Sequence, residues 1–193
     1  MSQDDRIRWD AKYREGRSPT RGPSPCLVSV ADILPPGGRA LDVAGGAGSN
    51  AVWLAGRGWD VTVADISPVG LAAAMEHAQR ACVVLRTLEI DLEQDTFPPG
   101  PWDLIVCIRF LWRPLFATIP GELAPGGVLV VVHPTRSNLA RHERPGPRHL
   151  LEDGELPGLV SGLEILRYEE GWAEEGQHDA RLIARRERAR HLP

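Results

Sequence analysis

Five places in the chain carry residue types that can do chemistry at a spacing that suggests they meet. Asp42 precedes a glycine-rich turn, Ala44-Gly45-Gly46-Ala47-Gly48. Asp65 follows Gly46 by 19 residues and ends an apolar run, Asp60–Ala64. Asp91 follows a third apolar run. Cys107, Ile108 and Arg109 end a fourth, and His133 ends a fifth. Glycines let a backbone approach a ligand closely, and a helix starting just after them offers free N–H groups. A carboxylate closing the second strand can accept both hydroxyls of a ribose. Together these residues predict a nucleotide site.

The intervening segments supply the elements that must position these groups. Asp4–Arg14 reads as a helix. Pro25–Leu34 reads as a second helix, started by Pro25 and stopped by Pro35-Pro36-Gly37-Gly38. Arg39–Val43 is a strand, Ser49–Arg57 a helix and Asp60–Ala64 a strand. Ser67 caps a helix with Pro68 in its first turn, running to Arg80. Cys82–Leu88 and Asp103–Ile108 are strands, Pro114–Leu123 is a helix interrupted by Pro120, and Val128–His133 is a strand after a tight turn at Pro125-Gly126-Gly127. Leu163–Tyr168 and Asp179–Ala184, joined by a short stretch, form an antiparallel pair. Strands alternating with helices imply right-handed βαβ units. The expected fold is α/β, a Rossmann-like doubly wound sheet of five parallel strands plus a C-terminal antiparallel hairpin. The expected organisation is a single domain, 1–193. It has an N-terminal helical cap (1–35), a cofactor-binding core (39–133), a substrate-side loop and helix (134–160) and the hairpin (163–186).

Two cofactors fit such a core. Gly46-Ala47-Gly48-Ser49-Asn50-Ala51 matches the dinucleotide pattern G-x-G-x-x-A, which points to NAD. Asp42 points elsewhere: beside a pyrophosphate its charge is unfavourable, whereas it suits the ammonium of a methionine moiety. Asp91, the turn at Pro125-Gly126-Gly127 and the terminal hairpin also favour S-adenosylmethionine.

Five segments are similar to the ordered motifs of class I S-adenosylmethionine-dependent methyltransferases: Leu41–Gly48, Val63-Ala64-Asp65, Ile90-Asp91-Leu92, Trp102–Ile105 and Leu123–Gly127. Within that class the chain resembles the tellurite-resistance (TehB-like) group through Trp9–Gly16, Leu150–Leu156, Leu163–Glu170 and Arg181–Arg186. The resemblance implies cofactor contacts residue by residue. Asp42 and the backbone of Ala44, Gly45, Gly46 and Gly48 would surround the methionine part. Asp65 would hold the ribose, with Ile66 on the adenine. Asp91 would take the adenine amino group, with Leu92 beside it, and Cys107 and Ile108 would flank the sulfonium. Ala44 stands where the family usually has its first glycine, which is tolerable if its φ is negative.

Methyl transfer from a sulfonium is an in-line displacement in which alignment and water exclusion supply much of the acceleration. The acceptor is therefore sought at the mouth of the site. The segment Arg109–Pro114 has no Asn/Asp-Pro-Pro-Tyr/Phe signature of enzymes methylating amide or base nitrogens and no Pro-Cys nucleophile. Cys107 reads as a core strand residue rather than a nucleophile. The candidate catalytic side chains are Arg109, His133 and Tyr13. Arg109 and Arg113 either hold an anionic acceptor or pair with acids. Trp112 either walls the pocket or packs. His133 sits where acid–base work can be done. Trp9 and Tyr13 lie one helical turn apart, on a helix that either closes over the cofactor or docks on the core. The segment His133–Leu150, with four arginines and one glutamate, is an exposed loop, either a lid for an anion or simply solvated. His178 reads as a surface residue.

Composition bounds these readings. The chain has 193 residues, enough for one full core. Apolar residues make up 42% and charged residues 25%, which is globular composition. A net charge of −4 argues against a nucleic-acid partner. The arginines of Arg185–Arg190 read as a frayed tail. Three widely spaced cysteines form no disulfide framework and no zinc pattern, and the histidines make no ligand pair, so no metal is expected. The N-terminus has no apolar signal core and no run is long enough for a membrane span. A cytoplasmic protein acting on a small molecule is expected, as a methyltransferase or as a binding protein that has lost transfer activity. Oligomeric state leaves no signal.

Overall fold

The computed structural model describes residues 3–16 and 22–188. Residues 1–2, residues 17–21 of the Pro/Gly/Ser-rich stretch Arg17–Pro25, and the end of the basic tail, 189–193, lie outside the described residues. Helix α1 (Gln3–Arg14) and the short α2 (Pro25–Ser29) precede β1 (Arg39–Val43). Then come α3 (Ser49–Ala55), β2 (Asp60–Asp65), α4 (Pro68–Arg80), β3 (Arg86–Glu89), β4 (Trp102–Ile108) and α5 (Leu115–Glu122). The chain closes with β5 (Leu123–Pro134), α6 (Leu156–Leu159), β6 (Glu164–Trp172) and β7 (His178–Arg185).

The strands form one sheet in the order β3-β2-β1-β4-β5-β7-β6. Strands β1 to β5 pair in parallel, and β7 runs antiparallel to both of its neighbours, β5 and β6. This is the expected doubly wound sheet with a terminal hairpin. Helices cover both faces, so the central strands are continuous apolar runs such as Val128–Val132. On one face Leu27, Ala51, Leu54, Leu71 and Ala74 pack on Val61, Val63, Leu104 and Val106. On the other Phe116, Ile119, Leu151 and Leu156 pack on Leu41, Ile105, Leu129 and Leu182. The strand order reverses between β1 and β4, so a crevice opens at their carboxyl ends. Asp42–Gly48 and Cys107–Arg109 both fall there.

Several predicted boundaries move, each for a local reason. The third strand is Arg86–Glu89, not Cys82–Leu88. Cys82 has φ of +55° and turns the chain out of α4, so the apolar run Cys82–Leu85 is spent on that turn. The second helix stops at Ser29 and continues as turns to Leu34, with Ile33 bonded back to Val30. Helix α5 runs through Pro120 rather than breaking there. The turn at Pro125-Gly126-Gly127 is a bulge within β5: Leu123 pairs with Trp102, but Val128 pairs with Leu104. Gly126 has φ of +83°, and a Cβ on Gly127 would lie 2.7 Å from the Trp102 carbonyl.

Loop 134–155 is tied down more firmly than its composition suggests. Thr135 and Asn138 are fully buried. Asn138 Oδ1 accepts the His178 N–H, and Arg136 N–H donates to the Leu151 carbonyl. Two 3-10 turns, Arg136–Ala140 and Pro147–His149, lie within it.

Candidate active site

Asp42 closes β1 and is 1% exposed. It accepts hydrogen bonds from the Asn50 side chain and the Ala51 N–H at the start of α3, yet burial and nearby Asp65 push its pKa up to about 7. Its Oδ2 has no hydrogen-bond partner. That oxygen faces the turn: a Cβ built on Gly45 would lie 2.7 Å from it. A buried carboxylate oxygen with no donor, aimed at a glycine cradle, fits a ligand that brings its own cationic donor.

The turn itself is strained. Ala44 has φ of +52°, so the condition under which a methyl group is tolerable there is not met. Arg109, one strand over at the end of β4, has φ of +62°. Non-glycine residues in this region cluster at ligand sites. Ala44→Gly is expected to raise stability by about 1 kcal/mol, because the left-handed penalty on Ala exceeds the entropic cost of Gly. Urea denaturation measures it, and an unchanged or lowered midpoint would show the turn to be unstrained.

Asp65 ends β2 and is 6% exposed. Its Oδ2 accepts the Gly46 N–H at 2.8 Å and its Oδ1 accepts the Ser67 N–H at 2.8 Å. Burial raises its pKa, while these backbone donors lower it. Asp65 therefore holds the glycine turn to the start of α4. Ser67 caps α4 by accepting the Gly70 N–H at 3.0 Å. His77 Nδ1 lies 2.8 Å from the Ala47 carbonyl and braces the turn from α4.

Helix α1 closes this end of the crevice. The Tyr13 ring lies against Gly70, and a Cβ on Gly46, whose φ is +52°, would meet its hydroxyl. Burial, then the charges of Asp65 and Asp42, raise the phenol's pKa, so Tyr13 stays protonated. Trp9 stacks on Tyr13 with centroids 6.0 Å apart. Asp10, 9% exposed, accepts a 2.5 Å hydrogen bond from Ser67 Oγ. A cavity of about 410 Å³ lies between α1 and the ends of β2 and β3. Ile66, Ile90 and Asp91 line one side, and Arg6, Ile7 and Asp10 the other. Leu92 is buried in the core beside Phe97, 3% exposed, and is absent from the lining. Asp91 accepts the Glu93 N–H at 3.0 Å, which turns the chain under the cavity.

The acceptor-side candidates are brought together unevenly. The Arg109 guanidinium donates to Gln177 and lies 3.5 Å from Asp179 on β7. Arg113 is held by Glu155, with one contact at 2.7 Å, and by the Leu150 carbonyl. Of the two alternatives for these arginines, pairing with an acid is observed for both, Arg109 with Asp179 and Arg113 with Glu155. Trp112 packs partly buried against the core. His133, 5% exposed, has Nε2 2.9 Å from the His149 carbonyl, and its Nδ1 has no partner. Burial, together with Arg109, Arg113 and His149, lowers its pKa to about 4, so the ring is neutral. Cys107 is fully buried and its thiol is pushed up to about 12, which fits packing and not nucleophilic attack. Ile108 packs half-buried against the opposite core face.

Sequence reading missed Asp10 and His77. Asp10 stands within the Trp9–Gly16 segment of the family resemblance, where only Trp9 and Tyr13 are given a role, although it lies three residues before Tyr13. It also could not show that Asp153, Glu170 and His178 bring one ligand atom each within 4.8 Å of one another. They come from three separate segments, and each is already hydrogen-bonded, to Ser137, Tyr168 and Thr135 respectively.

Residues 40–127 match the family profile described as a methyltransferase domain. That segment of the chain is similar to a methyltransferase domain. The match spans β1 through the β5 bulge, the part of the fold that holds Asp42, Asp65 and Asp91. The fold is shared with TehB from Haemophilus influenzae, at TM-score 0.73 and 20% identity, over 91% of this chain and 66% of that one. It is shared also with a TehB-like S-adenosylmethionine-dependent methyltransferase from Corynebacterium glutamicum, at TM-score 0.68 and 18% identity, over 96% and 100%. Among curated proteins, a ribosomal RNA small subunit methyltransferase C from Alcanivorax borkumensis is 34% identical over 107 residues. These are 49% of this chain and 32% of that protein, so the chain spans about a third of the relative's length. Among the described residues no helix is long and apolar enough to cross a membrane.

Proposed function

We propose that the chain transfers a methyl group from S-adenosylmethionine to a small acceptor, anionic or soft, such as a thiol or a chalcogen oxyanion. The observation that carries this reading is the buried Asp42 carboxylate, whose Oδ2 has no donor and faces the glycine cradle at the sheet's switch point. It asks for a cation such as the ammonium of the methionine moiety. When bound, the cofactor supplies an electrophilic methyl on a sulfonium. Asp42 would anchor the ammonium, Asp65 the ribose hydroxyls, and Ile66 and Asp91 the adenine. Tyr13, protonated, would cover the methionine part from α1 and exclude water. Arg109, at the end of β4, is the cation that an anionic acceptor would meet. His133, neutral with Nδ1 free, would take the proton a protic acceptor loses.

The basic loop gives little support to a nucleic-acid acceptor. Arg136 pairs with Glu152 at 2.8 Å, and Arg141 lies over the Trp172 ring at 3.9 Å. Arg185 on β7 pairs with Glu164 at 2.8 Å. Three free cysteines fit a cytoplasmic setting. Calorimetry with S-adenosylhomocysteine and with NADH tests the cofactor: binding of the first alone is expected, and binding of NADH alone would overturn the reading. A panel of thiol, selenite and tellurite acceptors then tests transfer. Tight cofactor binding with no turnover on the panel would point to a binding protein instead.

A further inference from the structure

The acid that closes β2 has a neighbouring acid on α1, outside the segment matched by the methyltransferase profile. Ser67 sits between two carboxylates. Its N–H donates to Asp65 Oδ1 at 2.8 Å, and its hydroxyl donates to Asp10 Oδ1 at 2.5 Å. One serine therefore bridges an acid on β2 to an acid on α1, and the two are close enough that Asp10 raises the pKa of Asp65. Both are shielded from water, at 9% and 6% exposure.

Their remaining acceptor capacity differs. Asp65 spends one oxygen on Gly46 N–H and the other on Ser67 N–H. Asp10 spends Oδ1 on Ser67, while Oδ2 meets Arg14 only at 3.7 Å, through an arginine side chain that is 65% exposed. It is Asp10 whose residue lines the 410 Å³ cavity, opposite Ile66, Ile90 and Asp91. A ligand suited to this place has a flat apolar part for Ile66 and Ile90 and neutral O–H donors for the acids. A neutral diol can donate to two neighbouring carboxylates without adding a like charge between them.

We propose that Asp10 is a cofactor-binding residue, accepting a ribose hydroxyl of S-adenosylmethionine across the Ser67 bridge from Asp65. This rests on the cofactor reading above. Helix α1 then contributes to affinity directly, through a carboxylate, and is more than a cover for the crevice.

The test uses the full chain and S-adenosylhomocysteine, together with its 2′-deoxy and 3′-deoxy ribose counterparts. Calorimetry compares wild type with Asp10→Ala and Asp10→Asn, after thermal melting shows which variants are folded. Asp10→Ala is expected to weaken S-adenosylhomocysteine tenfold or more, and Asp10→Asn by less. For one of the two deoxy compounds the substitution is expected to cost threefold or less, because the hydroxyl it serves is already missing. An equal loss with all three compounds would overturn the proposal, since Asp10 would then act only by pinning α1. Unchanged affinity in a folded variant would overturn it as well, with the cofactor reading intact. Failure of the wild type to bind S-adenosylhomocysteine would remove the cofactor reading first.

Discussion

Asp42→Asn is expected to make the cofactor-free protein more stable by about 2–4 kcal/mol at pH 8, while weakening S-adenosylhomocysteine tenfold or more. The two effects have one cause. Burial and the charge of Asp65 raise the Asp42 pKa from 3.8 to about 7. The folded state thus holds the proton more tightly than the unfolded chain. Between pH 3.8 and 7 the folded form is protonated and the unfolded form is not, so wild-type stability falls as pH rises through that window. Above it the penalty is complete, and an amide of the same shape removes it. Asn50 and Ala51 already donate to this side chain, and an asparagine oxygen still accepts from one of them. The ammonium of a bound cofactor, by contrast, loses its counter-charge. Binding should also release a proton near pH 7 in the wild type, because the incoming cation restores the carboxylate. Urea titrations from pH 5 to 8.5 and calorimetry in buffers of differing ionisation heat measure both. A variant less stable than wild type at pH 8 would mean that Asp42 is already charge-compensated without cofactor.

This opposition between stability and binding explains how much of the site was legible. Asp42, Asp65, Asp91 and the glycine turn are consecutive landmarks of a βαβ pattern. Strand alternation, helix caps and an acid after each strand are local features, so they show in a linear reading. The parallel pairing of β1 to β5 was accessible for the same reason, since alternating strands and helices imply right-handed crossovers. Asp10 was not legible, because its role depends on α1 lying across α4 and meeting Ser67, a contact between residues 57 positions apart. The pairing of Arg113 with Glu155 spans 42 positions and the approach of Arg109 to Asp179 spans 70. Such pairings follow from where the hairpin and the loop before it are seated, which periodicity does not specify. The Ala44 φ was undecidable for a different reason. A residue type states what is comfortable, and a functional turn can hold alanine where glycine would be unstrained. Cys82–Leu88 misled because β-branched and apolar residues also fill the turn that leaves a helix and packs beneath it. Leu85 there is 5% exposed without belonging to a strand.

His133 provides the counterpart experiment, with the opposite sign. Its imidazole is buried at the end of β5, and desolvation, reinforced by Arg109, Arg113 and His149, lowers its pKa from 6.5 to about 4. Here the unfolded chain takes up the proton first. As pH falls from 6.5 to 4, protons accumulate on the unfolded state and wild-type stability drops by about 3 kcal/mol through this group alone. Below pH 4 the folded form is protonated too and the loss saturates. His133→Gln keeps a donor for the His149 carbonyl but cannot titrate. The stability of the variant relative to wild type should therefore rise by about 3 kcal/mol between pH 7 and pH 4, measured by urea unfolding at half-unit steps. A constant difference across that range would mean that the ring is solvated or charged in the folded protein. The same neutrality bears on chemistry. On the proposed reading, a ring that stays unprotonated down to about pH 4, with Nδ1 lacking a partner, would take the proton of a bound thiol or hydroxyl. It is a weak base, so it suits an acceptor whose proton leaves as the methyl group arrives. With such an acceptor, His133→Gln should lower kcat and leave S-adenosylhomocysteine affinity within twofold of wild type. A fall in cofactor affinity instead would place His133 in the support of the cofactor site.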